Sequence, residues 1–270
     1  MLEVPVSILE TQDLTRKFGS VVAADRVNMT VEAGETFGLL GPNGAGKTTV
    51  IKVLTTLLPP TSGTALVAGF DVRSQADRVR RVIGYVPQLI SVDGELTGFE
   101  NLRVFARLYD VPRAEQRDRI EKALELMGLV DVGSRLVRQY SGGMIRRLEI
   151  AEAMLHRPPL LFLDEPTVGL DPIARETVWE RIGQLRADYG TTIFLTTHYM
   201  DEAEQLCGRV AIMHLGRIAA IGTPRELEDS LHQPDATLDD VFEHYGGGQI
   251  ETGGTYRDTA RTRRTLRRLG

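Results

Sequence analysis

GPNGAGKTT, residues 41–49, follows a short apolar run, FGLL at 37–40, and precedes VIKVL at 50–54, which reads as the start of an amphipathic helix. Strand, glycine-rich turn and helix in that order turn the pattern G-x-x-x-x-G-K-[ST] into a phosphate-binding loop. Gly41, Gly44 and Gly46 open backbone conformations closed to residues with a Cβ. The turn points successive N–H groups inward, a concavity suited to an anion. The helix start beyond it adds unsatisfied donors and the positive end of a dipole. Lys47 is placed to reach the β- and γ-phosphates, and the Thr48 hydroxyl to ligate Mg²⁺. Gly41, Pro42, Asn43, Gly44, Ala45, Gly46, Lys47, Thr48 and Thr49 are therefore the candidate nucleotide-binding residues.

Around this loop the chain has the composition of a globular protein. Its 270 residues are 42% hydrophobic and 26% charged, enough for one large domain or two modest ones. No apolar run approaches the ~18–20 residues needed to span a bilayer. The opening MLEVPVSILE lacks the basic-then-apolar pattern of a secretory signal. Cys207 is the single cysteine, so an intrachain disulfide is excluded and a cysteine-based metal site is not expected. These features predict a cytosolic protein. A net charge of −5 argues against nucleic acid as the main partner.

Upstream of the loop the pattern is β, with strands expected at 8–14 and 23–31 and a turn at 17–19 containing Phe18. The helix after the loop is expected to run to Pro59-Pro60, followed by short strands at 64–68 and 83–86. From 96 to 157 the pattern turns helical. Phe99, Leu102, Phe105 and Tyr109 share one face, and Ile120, Ala123, Leu124 and Met127 another. This stretch reads as a helical subdomain, about 90–157, inserted into an α/β core. Within it YSGGM, 140–144, precedes a helix for which Ser141 is the expected N-cap. LLFLD, 160–164, is a continuous apolar run ending in an acid, the signature of a buried parallel strand with a carboxylate at its C-terminal edge. A helix at 172–188, a strand at 192–196 and a hairpin over 210–221 follow. An apolar stripe of Leu238, Val241, Phe242 and Tyr245 marks a last helix. From Gly246 onward, glycines and six arginines between Arg257 and Arg268 read as a flexible basic tail.

Phosphoryl transfer needs a metal, a positioned water and charge stabilisation around the γ-phosphate. Asp164 can hold Mg²⁺ through its water shell, Glu165 can polarise the attacking water, and His198, at a strand end, can donate to the γ-phosphate.

Taken together, these residues resemble the nucleotide-binding subunit of an ATP-binding cassette transporter. The resemblance covers about residues 9–222 and rests on GPNGAGKTT, Gln88 in YVPQ, YSGGM, LLFLDEP, GLDP at 169–172 and His198 in TTHYM. It implies an α/β fold: a P-loop NTPase (RecA-like) core, an N-terminal antiparallel β part and an inserted α-helical subdomain carrying the signature. It implies a cassette over 1–245 and a tail over 246–270. By the same resemblance Phe18 would stack on adenine, Gln88 would touch Mg²⁺ and the membrane partner, and Ser141, Gly142 and Gly143 would act in trans on a second cassette. Asp171 would lie at the dimer seam, and Thr48, Gln88 and Asp164 would be the metal-side residues. The usual LSGGQ signature is here YSGGM, with the donors retained. ATP and Mg²⁺, a separate transmembrane permease, a head-to-tail homodimer and a place on the cytoplasmic face of the membrane are the implied cofactors, partners and location.

The stretches LTGFENL, YSGGMIRRLEIA and LDDVFEHYGG resemble the branch that includes drug-resistance exporters. The alternative is a soluble cassette acting on a non-transport protein or ribonucleoprotein. A GTPase would want an Asn-Lys-x-Asp motif, which the chain lacks.

Overall fold

A computed structural model of the chain describes residues 7–246. Apart from Gly246, the expected basic tail lies outside the described residues.

The elements run β1 (Ser7–Phe18), β2 (Val21–Glu32), β3 (Thr36–Leu40), α1 (Lys47–Leu54), β4 (Ser62–Val67), β5 (Phe70–Asp71), α2 (Ala76–Val82) and β6 (Ile83–Val86). They continue α3 (Gly98–Leu108), α4 (Arg113–Leu126), two 3₁₀ turns, α5 (Gly142–Met154), β7 (Leu160–Asp164), α6 (Pro172–Tyr189) and β8 (Thr192–Thr197). Last come α7 (Met200–Leu206), β9 (Arg209–His214), β10 (Arg217–Gly222), α8 (Pro224–Ser230) and α9 (Leu238–Gly246).

Two sheets form. An antiparallel sheet has the order β2-β1-β4-β5, and a six-stranded sheet the order β10-β9-β3-β8-β7-β6. In the latter β9, β3, β8, β7 and β6 are parallel, and β10 closes one edge as a hairpin with β9. The central strands are buried on both faces, which is why an apolar run fills the middle of each. Alternation decides which layer each side chain joins. Phe37, Phe162 and Phe194 enter a core shared with β1, β2, β4 and α1, with Phe194 5.7 Å from Phe37 and 5.4 Å from Phe162 between ring centroids. Leu161, Leu163, Ile193 and Leu195 face the other way, into a core shared with α3 to α6.

Several elements differ from expectation. β1 and β2 are longer, so Phe18 ends a strand instead of lying in the turn. Arg16 and Lys17 still pair with Ala24 and Val22, because a backbone ladder does not require apolar side chains at an exposed end. α1 stops at Leu54, well before Pro59. There Thr55 Oγ1 donates to the Ile51 carbonyl at 2.8 Å and Thr56 takes φ 65°, ending the helix locally. α2, α7 and α8 were not anticipated. Val79 is the buried side chain of α2, too little for a periodic signal.

Candidate active site

Because β3, β6, β7 and β8 are parallel, their C-terminal ends share one edge of the sheet, where ligands of open α/β sheets bind. Register completes the alignment: Leu40 pairs with Thr197, Asp164 with Thr196, and Val86 with Leu163. The residues that follow each strand end are those singled out by motif. The phosphate loop follows β3, Gln88 follows β6, Glu165 follows β7 and His198 follows β8.

The loop turns into α1 at Gly46, whose φ of 108° lies in the left-handed region. A Cβ there would also overlap the Ala23 carbonyl of β2. Gly41 is required for a different reason from the one expected. It has no positive φ, but a Cβ would overlap the Met213 carbonyl of β9. Lys47 begins α1 and folds back into the loop, donating to the Gly41 carbonyl at 2.7 Å and the Pro42 carbonyl at 3.2 Å.

The catalytic candidates converge on Glu165. One carboxylate oxygen, Oε1, is 3.2 Å from Lys47 Nζ. The other, Oε2, accepts from Gln88 Nε2 at 3.3 Å and lies 3.5 Å from His198 Nδ1. The backbone of Glu165 is in the left-handed region, φ 48°, uncommon for a residue with a side chain and typical of functional sites. Its N–H donates to Thr196 Oγ1 at 3.0 Å, and Thr196 in turn donates to Asp164 Oδ1 at 2.6 Å. Thr48 Oγ1 reaches the same Asp164 oxygen at 3.3 Å. Burial pushes the Asp164 carboxyl up from its ordinary value, and neighbouring Glu165 adds to this against the Thr196 and Thr48 hydrogen bonds. Burial would also raise Glu165, but His198 and Lys47 more than offset it, and its carboxyl sits below the ordinary value. Glu165 is thereby held as a carboxylate.

Lys47, Thr48, Gln88, Asp164, Glu165 and His198 thus form one connected group. Ser141, Gly142, Gly143 and Asp171 form another, where two helix N-termini meet. Ser141 caps α5, accepting from the Met144 N–H at 3.3 Å, and Asp171 caps α6, accepting from the Ala174 N–H at 2.9 Å. A Cβ on Gly143 would come within 2.8 Å of the Ala174 Cβ, so the glycine is what lets the two helix starts close on each other. Tyr140, which departs from the usual signature, is buried and donates to the Val132 carbonyl at 2.7 Å. Phe18 stands 44% exposed at the tip of β1, with the Arg16 guanidinium 4.6 Å from its ring centroid.

Sequence reasoning passed over Thr196, Arg146, Glu149 and Glu202. Thr196 is the first residue of TTHYM, but its position reads only as the end of a strand. The others lie inside helices, where a buried charge carries no periodic signal.

The residues present fit Mg²⁺. Among the described residues no group of three or more His, Cys, Asp or Glu side chains is arranged to hold a metal ion by itself. The donor set of a hydroxyl, an amide and one carboxylate suits a small hard cation shared with phosphate oxygens and water.

A family model described as ABC transporter matches residues 24–168, more than half of the chain. The chain belongs to the ABC transporter family, as an ATP-binding subunit. The cassette is an ATPase of the exporter-like kind. It is 48% identical over 227 residues to the daunorubicin/doxorubicin resistance ATP-binding protein of Streptomyces peucetius, covering 84% of this chain and 68% of that one. It is 41% identical over 239 residues to the probable multidrug ABC transporter ATP-binding protein YbhF of Escherichia coli, covering 87% of this chain but only 41% of that relative's length. Among solved structures, an ATP-binding subunit of an ABC transporter superposes with a TM-score of 0.79 at 32% identity, covering 88% of this chain and 99% of that one. A dimeric cassette in a post-hydrolysis state, bound to ADP and Pi, superposes with a TM-score of 0.70 at 26% identity, covering 80% and 98%. Among the described residues no helix is long and apolar enough to cross a membrane.

Proposed function

We propose that this cassette drives export of a drug-like, hydrophobic or amphipathic compound through a separate transmembrane permease, working on the cytoplasmic face of the membrane as a head-to-tail pair of copies. The observation that carries the proposal is the convergence of Lys47, Gln88 and His198 on the Glu165 carboxylate at the phosphate loop.

In this reading Lys47 leaves Glu165 for the phosphate oxygens of ATP, and adenine stacks on the exposed ring of Phe18. The Glu165 carboxylate accepts a proton from the attacking water, and His198 donates to the γ-phosphate. Thr48, Asp164 and Gln88 would hold Mg²⁺, which when bound neutralises charge on the phosphates. Thr196 orients Asp164 and the Glu165 backbone together.

A pair accounts for a surplus. One chain offers two helix N-termini suited to phosphate, α1 behind its loop and α5 behind Ser141. Both fit one γ-phosphate if they come from two copies facing each other, and a two-fold axis then gives two equivalent sites. The dimeric cassette that this chain resembles supports a pair, and Asp171, which caps the α6 start that Gly143 packs against, would lie at the seam. The resistance and multidrug relatives support export over a soluble cassette with a non-transport partner.

Mixing tests the pair. Ser141→Arg and Lys47→Ala copies should each be inactive alone. Together they should regain part of the hydrolysis, because one arrangement places both lesions in one site and leaves the other whole. Full-rate hydrolysis by each copy alone, independent of protein concentration and of the permease, would rule the pair out.

A further inference from the structure

On α5, the helix that begins with the Ser141 signature, two charged side chains are almost wholly buried: Arg146 at 6% exposed and Glu149 at 2%. They lie 3.1 Å apart at Arg146 Nη1 and Glu149 Oε2. Their remaining bonds go to one short segment, residues 87–91, which carries Gln88. Arg146 donates to the Pro87 carbonyl at 2.7 Å and the Gln88 carbonyl at 3.1 Å. Glu149 Oε1 accepts from the Ser91 N–H at 2.7 Å and from Ser91 Oγ at 3.0 Å. The segment is therefore gripped at both ends by one turn of α5, while the Gln88 side chain reaches Glu165 at 3.3 Å. Burial pushes Arg146 down and Glu149 up from their ordinary values, against their mutual attraction. A pair this desolvated stabilises a fold little compared with apolar side chains of the same volume, so its worth lies in what it connects.

We infer that Arg146 and Glu149 are positioning residues that couple the two ATP sites of the cassette pair. The inference rests on the head-to-tail reading. In that arrangement Gln88 serves the site held by its own phosphate loop, while Ser141 to Gly143 of the same chain serve the other. The clasp is the physical link between them within one copy. When γ-phosphate is lost from one site and Gln88 moves, the carbonyls flanking it carry Arg146, and α5 carries the signature at the opposite site. Rigid helices and charge-assisted hydrogen bonds transmit such a displacement because both ends are held.

The test is ATP hydrolysis by the cassette assembled with its permease, read as rate against ATP concentration. Two variants probe the clasp. Arg146→Met with Glu149→Leu removes both charges together, and Glu149→Gln keeps the shape while removing the ion pair. Coupling of two sites predicts a parental Hill coefficient approaching about 2, the number of sites. It should fall to about 1 in the double variant and to an intermediate value in Glu149→Gln, with affinity for a non-hydrolysable ATP analogue within about twofold of the parent. A second readout uses pairs in which one copy carries Glu165→Gln. That lesion should suppress turnover at the partner site severalfold with the clasp intact and leave it unaffected when the clasp is removed. If the double variant fails to melt cooperatively, Glu149→Gln decides. A Hill coefficient unchanged in the folded variants, or already about 1 in the parent, overturns the inference. Failure of Ser141→Arg and Lys47→Ala copies to rescue each other would instead overturn the paired reading on which it stands.

Discussion

Glu165 Oε1 lies 3.2 Å from Lys47 Nζ, and each residue is no more than 5% exposed. The carboxylate thus occupies the ammonium that a phosphate would take. In the proposed mechanism incoming nucleotide would replace Glu165 as the partner of Lys47 and leave the carboxylate facing the attacking water. The proposed mechanism uses the two residues at different stages, so their substitutions should fail differently. Glu165→Gln should still bind ATP but lose hydrolysis by about 10²–10⁴-fold, the usual worth of a positioned general base. Lys47→Ala should fail at binding. Turnover assays with the permease present, alongside nucleotide titration, separate the two. Near-parental turnover in Glu165→Gln would remove it from the catalytic role.

Two glycines of the phosphate loop should respond unequally to alanine. Gly44 and Gly46 both have positive φ, 82° and 108°, so each substitution strains the backbone by about 1–3 kcal/mol. At Gly44 a Cβ meets open space, whereas at Gly46 it meets the Ala23 carbonyl and comes within 2.8 Å of the Met213 methyl. Gly46→Ala should therefore lower the melting temperature by more than Gly44→Ala and abolish nucleotide binding. Equal melting temperatures in the two variants would contradict this account.

Glu152, one turn beyond Glu149 on α5, is buried, with its carboxyl pushed up to about 8 by burial and by the charge of Glu149. The Tyr109 hydroxyl is raised too, by its own burial and then by Glu152. The unfolded chain releases this proton near pH 4.5 and the folded chain keeps it to about 8. The folded state therefore binds the extra proton between those values, and stability falls as pH rises through that window. At pH 7 the loss is on the order of 3 kcal/mol. Glu152→Gln should raise the melting temperature at pH 7 and flatten its decline between pH 5 and 8. A parental slope in the variant would show that another group carries it.

Trp179 is the single tryptophan, and its indole N–H donates to Glu202 Oε1 at 2.9 Å. Thr167, two residues past Glu165, donates to the same oxygen at 2.7 Å. Glu202 is 1% exposed, and burial raises its carboxyl. Glu202→Ala leaves a buried indole N–H and a buried hydroxyl without their acceptor, a loss of about 1–3 kcal/mol for each. Intrinsic fluorescence should shift in the folded variant, and chemical denaturation should show the lowered midpoint. An unchanged emission spectrum would mean that the indole does not depend on Glu202.

Much of the parallel core was legible in the chain because burial on both faces leaves a simple mark. FGLL, LLFL and the IFL that precedes Thr196 are uninterrupted apolar runs, and each leads directly into residues with chemistry. Lys47, Gln88, Asp164, Glu165 and His198 were found by motif and strand-end position. Helices such as α2, with Val79 as its buried residue, were missed because periodicity needs several apolar positions to register. The expected end of α1 at the prolines differs from the observed one because the backbone turns left-handed at Thr56, φ 65°, before they are reached.

By itself the sequence determined the phosphate loop, the order of the longer strands and helices, and the family, since these rest on neighbours along the chain and on residue types in fixed spacing. Only the tertiary structure decided that residues following three parallel strands converge on a carboxylate following a fourth, that Gly41 is needed for room and not for its backbone angle, and that Arg146 and Glu149 grip the segment around Gln88. Those facts depend on strand register and on helix faces meeting across 58 or 59 residues of chain. Such separations leave no pattern in a single sequence, because the contact is made by packing and the intervening residues are free to be anything that folds.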